Sequence, residues 1–147
     1  MAYPTIAGPY GLVPVKLLSG VPFVGLTRQY SIASAYDTNI FYGDVVKLVT
    51  GGTVERDTAD AAMTPIGVFL GCTFTDPSSG NVTFRQYFPA DTAASDIMAY
   101  VADGTDILFK AAVVSSGTTI GDLAITDIGA NVAMVNNAGS TVTGNSK

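Results

Sequence analysis

The residues able to do chemistry in this chain are few. It has no histidine and one cysteine, Cys72. Without histidine, the commonest general base and metal ligand is missing, and a His/Cys zinc site cannot be built from one thiol. Cys72 lies in the apolar run GVFLGCTF, where a small buried hydrophobe is the ordinary reading and a nucleophile the rare one. Being alone, it forms no intrachain disulfide. Two carboxylate pairs remain, Asp91 with Asp96 and Asp103 with Asp106. Paired carboxylates flanking a glycosidic bond are the machinery of glycoside hydrolysis. Both pairs sit among turn-forming residues, however, where aspartate is favoured for bonding its own backbone. The ADGTD turn lacks the alternating oxygen ligands of a recognisable calcium loop. No GxSxG, GxGxxG or phosphate-cradling glycine–lysine spacing occurs, and Gly8-Pro9-Tyr10-Gly11 reads as a turn. Asn81-Val82-Thr83 matches a glycosylation sequon, which carries little weight without a secretion signal. The expectation is a protein that is not an enzyme and uses no cofactor or metal.

The surrounding elements are organised around residues 40–74. Residues 44–49 and 66–74 read as apolar strands, joined by a connector with a short strand at 53–56. Gly43, Gly67 and Gly71 look like bend points, since glycine inside a strand pattern marks a bulge or sharp corner. The charged connector, residues 55–60, reads as a solvated loop. Before this stretch lie a Gly/Pro-rich apolar segment, a strand at 12–18 and an extended piece at 29–33. After it, Asp76-Pro77-Ser78-Ser79-Gly80-Asn81 is a strong turn, making 73–75 and 82–88 a hairpin. Val82, Phe84 and Gln86 alternate with Thr83, Arg85 and Tyr87. Residues 97–101 and 107–114 form a second hairpin candidate around ADGTD, and 132–135 a possible last strand.

Short strands every 8–12 residues or so, with no sustained helical period, predict an all-β fold. The expected architecture is a small distorted β-barrel or sandwich of short antiparallel strands with an extended N-terminal arm. The expected divisions are an arm at 1–11, one β domain at 12–135 and a polar tail at 136–147. Pro9 and Pro14 bar a stable helix from the first segment. Its apolar residues either dock on a neighbour or fold over the chain's own barrel.

The 147 residues suffice for one domain with a proper core. Apolar residues make up 48% and charged residues 13%, about half the charged share of an average domain. So little charge points either to assembly with a partner or to a surface rich in Thr, Ser and Asn. With a net charge of −5, a pI near 4.3 and only 7 basic residues, the chain is a poor nucleic-acid binder. No apolar run reaches the length of roughly 20 residues that spans a bilayer. The N-terminus lacks the layout of a signal peptide, so synthesis in the cytoplasm is expected.

The spaced pattern Gly8-Pro9-Tyr10-Gly11-Leu12-x-Pro14-Val15, Gly20-x-Pro22-Phe23-x-Gly25, Gly43-Asp44-x-Val46 and Pro65-Ile66-Gly67-Val68-Phe69-x-Gly71 resembles a group of small virion proteins of tailed, cyanophage-like bacteriophages. Tyr100-Val101-Ala102-Asp103, Asp106-Ile107-Leu108-Phe109 and Asp127-Ile128-Gly129 resemble that group's second half. The resemblance implies a capsid decoration, or cement, protein on the outer surface of the phage head. It would bind an HK97-type shell of major capsid protein as a homotrimer and tie capsomers together, with no nucleic-acid or membrane partner. Tyr3, Ile6, Tyr10, Leu12 and Val13 are the expected capsid-binding residues. In that group a segment like 139–146 precedes another strand, so the resemblance implies a shorter member or a missing final strand. The alternatives are a tail or connector component of the virion, or a carbohydrate- or receptor-binding β module; the lack of Trp argues against sugar stacking, while seven Tyr permit it.

Overall fold

A computed structural model describes residues 10–58, 62–116 and 119–147 of the chain. It is all-β, with antiparallel pairing between every strand pair. The described residues form ten strands: β1 (Val13–Leu17), β2 (Arg28–Ser31), β3 (Val45–Leu48), β4 (Val54–Arg56), β5 (Pro65–Thr75), β6 (Val82–Arg85), β7 (Met98–Ala102), β8 (Ile107–Lys110), β9 (Val114–Ser116) and β10 (Thr119–Ile120). A 3-10 turn covers Ile125–Asp127. The main sheet runs β2-β7-β5-β3-β4, with β6 also on β5, while β1-β8 and β9-β10 form separate two-stranded ribbons. Among the described residues no barrel closes: β2 and β4 end the main sheet, and the arrangement is a distorted, sandwich-like one.

β5 is the axis. One of its edges carries β7 from Val68 to Thr73. Its other edge is shared, first by β3 (Val68↔Val45, Gly67↔Val46) and then by β6 (Cys72↔Arg85 through Thr75↔Val82). Its core side chains are Ile66, Phe69, Cys72 and Phe74, spaced by three, three and two. Strict pleating would space them by two. Each step of three coincides with a register shift. Against β3, Val46 faces Gly67 and Lys47 faces Pro65, passing over Ile66; against β7, Val101 faces Phe69 and Tyr100 faces Gly71, passing over Leu70. Two bulges thus keep one long strand presenting its apolar residues to the same core while it bends between partners. Phe69, Phe88, Ile40 and Ile97 fill that core, and Phe74 meets Phe88 edge-on with ring centroids 6.4 Å apart.

The three bend glycines have different roles. Gly43 (φ +90°) makes the turn into β3, and Gly71 (φ +148°) sits at the second bulge. Gly67 is a close approach: a Cβ there would lie 2.5 Å from the Ala102 carbonyl oxygen.

Several expectations need correction. Residues 97–101 and 107–114 do not form a hairpin. Both edges of β7 are occupied, by β2 and β5, so β8 pairs with β1 instead and ends at Lys110. The 55–60 connector is not a solvated loop throughout, because Asp57 is buried and Arg56 turns inward to a buried carboxylate. Residues 132–135 form no strand; Val132 and Val135 are exposed, and the segment reaches the body through Asn136 and Asn137. Among the described residues no helix is long and apolar enough to cross a membrane.

Because both Gly67 neighbours are backbone or packed side chain, Gly67→Ala must spread β5 from β7. An overpacking cost of about 2–3 kcal/mol is expected, measured as a lowered urea midpoint with an unchanged m-value.

Candidate interaction surface

The turn from Phe41 to Asp44 encloses a buried, fully engaged carboxylate. Asp44 donates its backbone N–H to the Phe41 carbonyl (3.0 Å), and its Oδ2 accepts the Phe41 N–H (2.8 Å). The carboxylate is almost wholly buried. It also accepts Ser146 Oγ on Oδ1 at 2.5 Å and faces Arg56 Nε at 3.1 Å from Oδ2. Burial raises the Asp44 pKa; Ser146, the Phe41 N–H and Arg56 each oppose that rise. Arg56 extends the network, with Nη2 donating to Asn136 Oδ1 and to the Asn137 carbonyl, both at 2.6 Å. Asp57, buried beside it, accepts the Thr64 N–H (2.8 Å) and donates its own N–H to the Val45 carbonyl (2.9 Å). One aspartate and one arginine therefore hold β3, β4 and the C-terminal segment together.

The C-terminal segment lies along this turn. Tyr42 donates to the Gly144 carbonyl (3.0 Å), Ser146 donates to the Tyr42 carbonyl (2.9 Å), and Gly139 packs on the Phe41 ring. Val142, the one large aliphatic residue of the 136–147 tail, points to solvent at 93% exposure and anchors nothing. Gly11 threads between the Gly43 carbonyl and Ser146, where a Cβ would lie 2.6 Å from each.

Of the expected capsid-binding residues, Tyr3 and Ile6 lie outside the described residues. Tyr10, Leu12 and Val13 are half-buried against their own body: Leu12 donates to the Gly43 carbonyl (3.0 Å), Val13 pairs with Lys110, and Lys110 Nζ sits 5.3 Å from the Tyr10 ring centroid. Next to them opens a cavity of about 490 Å³, lined by Leu12, Val45, Met63, Val113, Leu123 and Met134 among others, with Asp44 and Arg56 in its wall. That volume suits a small molecule. Of the polar groups in its wall, Asp44, Arg56, Asn136, Asn137 and Ser146 are engaged with one another.

Of the residues singled out for chemistry, Asp96 and Asp103 bond neighbouring groups with their side chains, while Asp91 and Asp106 take part through the backbone, Asp106 accepting the Leu18 N–H (2.8 Å). Asp96 accepts both the Thr75 hydroxyl (2.6 Å) and the Thr75 N–H (3.1 Å), bonds that lower its pKa. Asp103 accepts the Tyr30 hydroxyl (2.8 Å) and faces Arg28 at 3.4 Å. Asp91 adopts a positive φ of 60° in the turn that donates its N–H to the Tyr36 carbonyl. Cys72 is fully buried, which pushes its thiol up to about 12. Among the described residues no group of three or more His, Cys, Asp or Glu is placed to hold a metal.

What stands out on the outside is apolar. Large aliphatic side chains are exposed in the loop after β1 (Leu18, Val21, Val24, Leu26) and in the segment after β10 (Leu123, Ile125, Ile128, Val132, Val135). A third cluster lies on β6, where Val82 and Phe84 face outward and Phe84 tilts against Tyr100 with centroids 5.9 Å apart. Sequence reasoning missed the Asp44–Arg56–Ser146 network. One signal was available: a lone carboxylate inside the apolar stretch 40–49 requires a partner.

Removing one member of the buried pair strands the other. Asp44→Asn and Arg56→Met should each destabilise the fold by about 3 kcal/mol, and the double variant by clearly less than the sum, in a urea double-mutant cycle. At pH 8 the native Cys72 thiol should resist iodoacetamide, labelling only as the chain unfolds; mass spectrometry with and without urea reads the difference.

Comparison with protein-family models, curated protein sequences and solved structures finds no match to the chain.

Proposed function

We propose that the chain is a structural protein whose work is contact area, and that it acts as a capsid decoration protein of a tailed bacteriophage. The observation that carries this reading is the run of exposed aliphatic side chains on a fold that already has a complete core of its own. The engagement of Asp96, Asp103 and Cys72 in hydrogen bonding and burial supports a non-enzymatic role. The glycine–proline pattern that resembles cyanophage-like virion proteins supplies the rest: an HK97-type shell as partner, the outer capsid surface as location and a homotrimer as the assembly.

In this role each copy need contribute only about 800 Å² to a partner for a standard interface. Repetition around a shell multiplies weak contacts into firm attachment. Contacts that bridge capsomers raise the cost of separating them, which is how such a protein resists internal pressure. Residues 1–9 and the exposed aliphatic strips are the parts proposed to meet the shell, since Tyr10, Leu12 and Val13 are partly occupied by their own body.

Cryo-electron microscopy of the particle tests the location: copies over the whole shell fit decoration, whereas a ring at a single vertex would assign the chain to a connector or tail. Deleting residues 1–9 should abolish co-sedimentation with shells while leaving the β-type circular dichroism intact, and undiminished co-sedimentation would remove the docking role from that segment.

A further inference from the structure

The cavity beside the Asp44 turn lies between two walls of different origin. The body supplies Leu12, Val45 and Val113, and the segment after β10 supplies Leu123, Val132 and Met134. That segment is tied to the body near both its ends. Gly121 donates its N–H to the Val113 carbonyl (2.9 Å), while Asn136 Oδ1 and the Asn137 carbonyl accept Arg56 Nη2 (both 2.6 Å). Between these ties it bonds to itself. Asp127 donates its N–H to the Ala124 carbonyl (3.0 Å), its Oδ2 accepts the Ala124 N–H (2.8 Å), and its own carbonyl accepts the Ala130 N–H (3.1 Å). The segment therefore spans the space without filling it. Leu123 and Val132 line the cavity and yet stay 63% and 72% exposed.

The chemistry of the walls limits what can enter. The volume, about 490 Å³, falls in the range of small-molecule sites. Asp44 and Arg56 are paired at 3.1 Å, and Arg56 is further held by Asn136 and Asn137. Ser146 donates to Asp44, and Asp57 accepts the Thr64 N–H. Among the described residues the other charged side chain of the wall is Lys147, which is exposed to water. A charged or strongly polar ligand would leave its water partners for groups that are already committed, at a net cost. Water beside aliphatic walls makes few hydrogen bonds, so an apolar molecule displaces it favourably. Met63 from the body and Met134 from the segment add flexible, polarisable side chains that adapt to the shape of an apolar guest.

We propose that this cavity is a binding site for an uncharged, largely hydrocarbon small molecule. Bound there, it covers the exposed faces of Leu123 and Val132 and joins the segment after β10 to the body by apolar contact as well as by the Arg56 hydrogen bonds. The site goes beyond the capsid reading and stands apart from it: neither needs the other.

Fluorescence titration of the full chain with N-phenylnaphthylamine, an uncharged apolar probe, tests it. The probe should saturate at one per chain with blue-shifted emission. It should also raise the urea midpoint, because a ligand that binds only the folded chain stabilises it. Anilinonaphthalene sulfonate, the same skeleton carrying a negative charge, should bind about tenfold more weakly or worse. Val113→Trp, which fills the space from the body, and Leu123→Asp, which places a charge in the opposite wall, should each weaken the uncharged probe about tenfold. Leu123 is exposed, so its variant should keep wild-type circular dichroism even where the first variant folds poorly. Val82→Asp, in the exposed apolar cluster on β6, should leave the affinity unchanged, as should deleting residues 1–9. Binding without saturation, equal or tighter binding of the sulfonate, a folded cavity variant that binds as wild type, or loss of binding in Val82→Asp would each overturn the proposal. A gain in affinity on deleting residues 1–9 would make that segment the occupant and overturn it as well.

Discussion

The structure depends on how it keeps the Asp44 carboxylate inside. Asp44 sits where β3 begins, surrounded by Phe41, Val45 and Val46, and burial penalises its charge. Everything that relieves the penalty is structural: a turn N–H, a serine from the far end of the chain and an arginine from β4. The chain has placed segments that are remote in sequence around one charge. An ion pair of this kind contributes little net stability over an apolar replacement. It does specify which segments must be adjacent, because any other arrangement leaves a buried charge unmatched.

The second constraint is β5, which must serve three neighbours. A strand has two edges, and β5 divides one of them between β3 and β6. The bulges over Ile66 and Leu70 let it turn from one partner to the other without rotating its apolar residues out of the core. Gly67 and Gly71 belong to this arrangement. One lets the β7 backbone come close, and the other takes up the backbone geometry of the second bulge.

Local features of this fold were legible in the sequence. Strands at 45–48, 54–56 and 65–75 follow from β-branched runs punctuated by glycine, and the 76–81 turn from Asp-Pro and Ser-Gly. Pairing was not legible where it is non-local. Nothing near 107–110 announces that its partner is β1 rather than β7, since both are short apolar strands of suitable length. Charge in a connector ordinarily means solvation, and nothing near Arg56 signals otherwise, since its partners Asn136 and Asn137 lie 80 and 81 residues away. The apolar character of the surface was visible only as a shortage of charge. Which aliphatic residues face outward required the fold.

The threading of Gly11 between Gly43 and Ser146 has a topological consequence. The two ends of the folded body emerge side by side, so the described chain is nearly a closed loop. A short covalent link between them would cost the native state almost no strain while shrinking the conformational space of the unfolded chain. Tyr10, Gly11, Ser146 and Lys147 all line the cavity, so both ends of the described body open beside it.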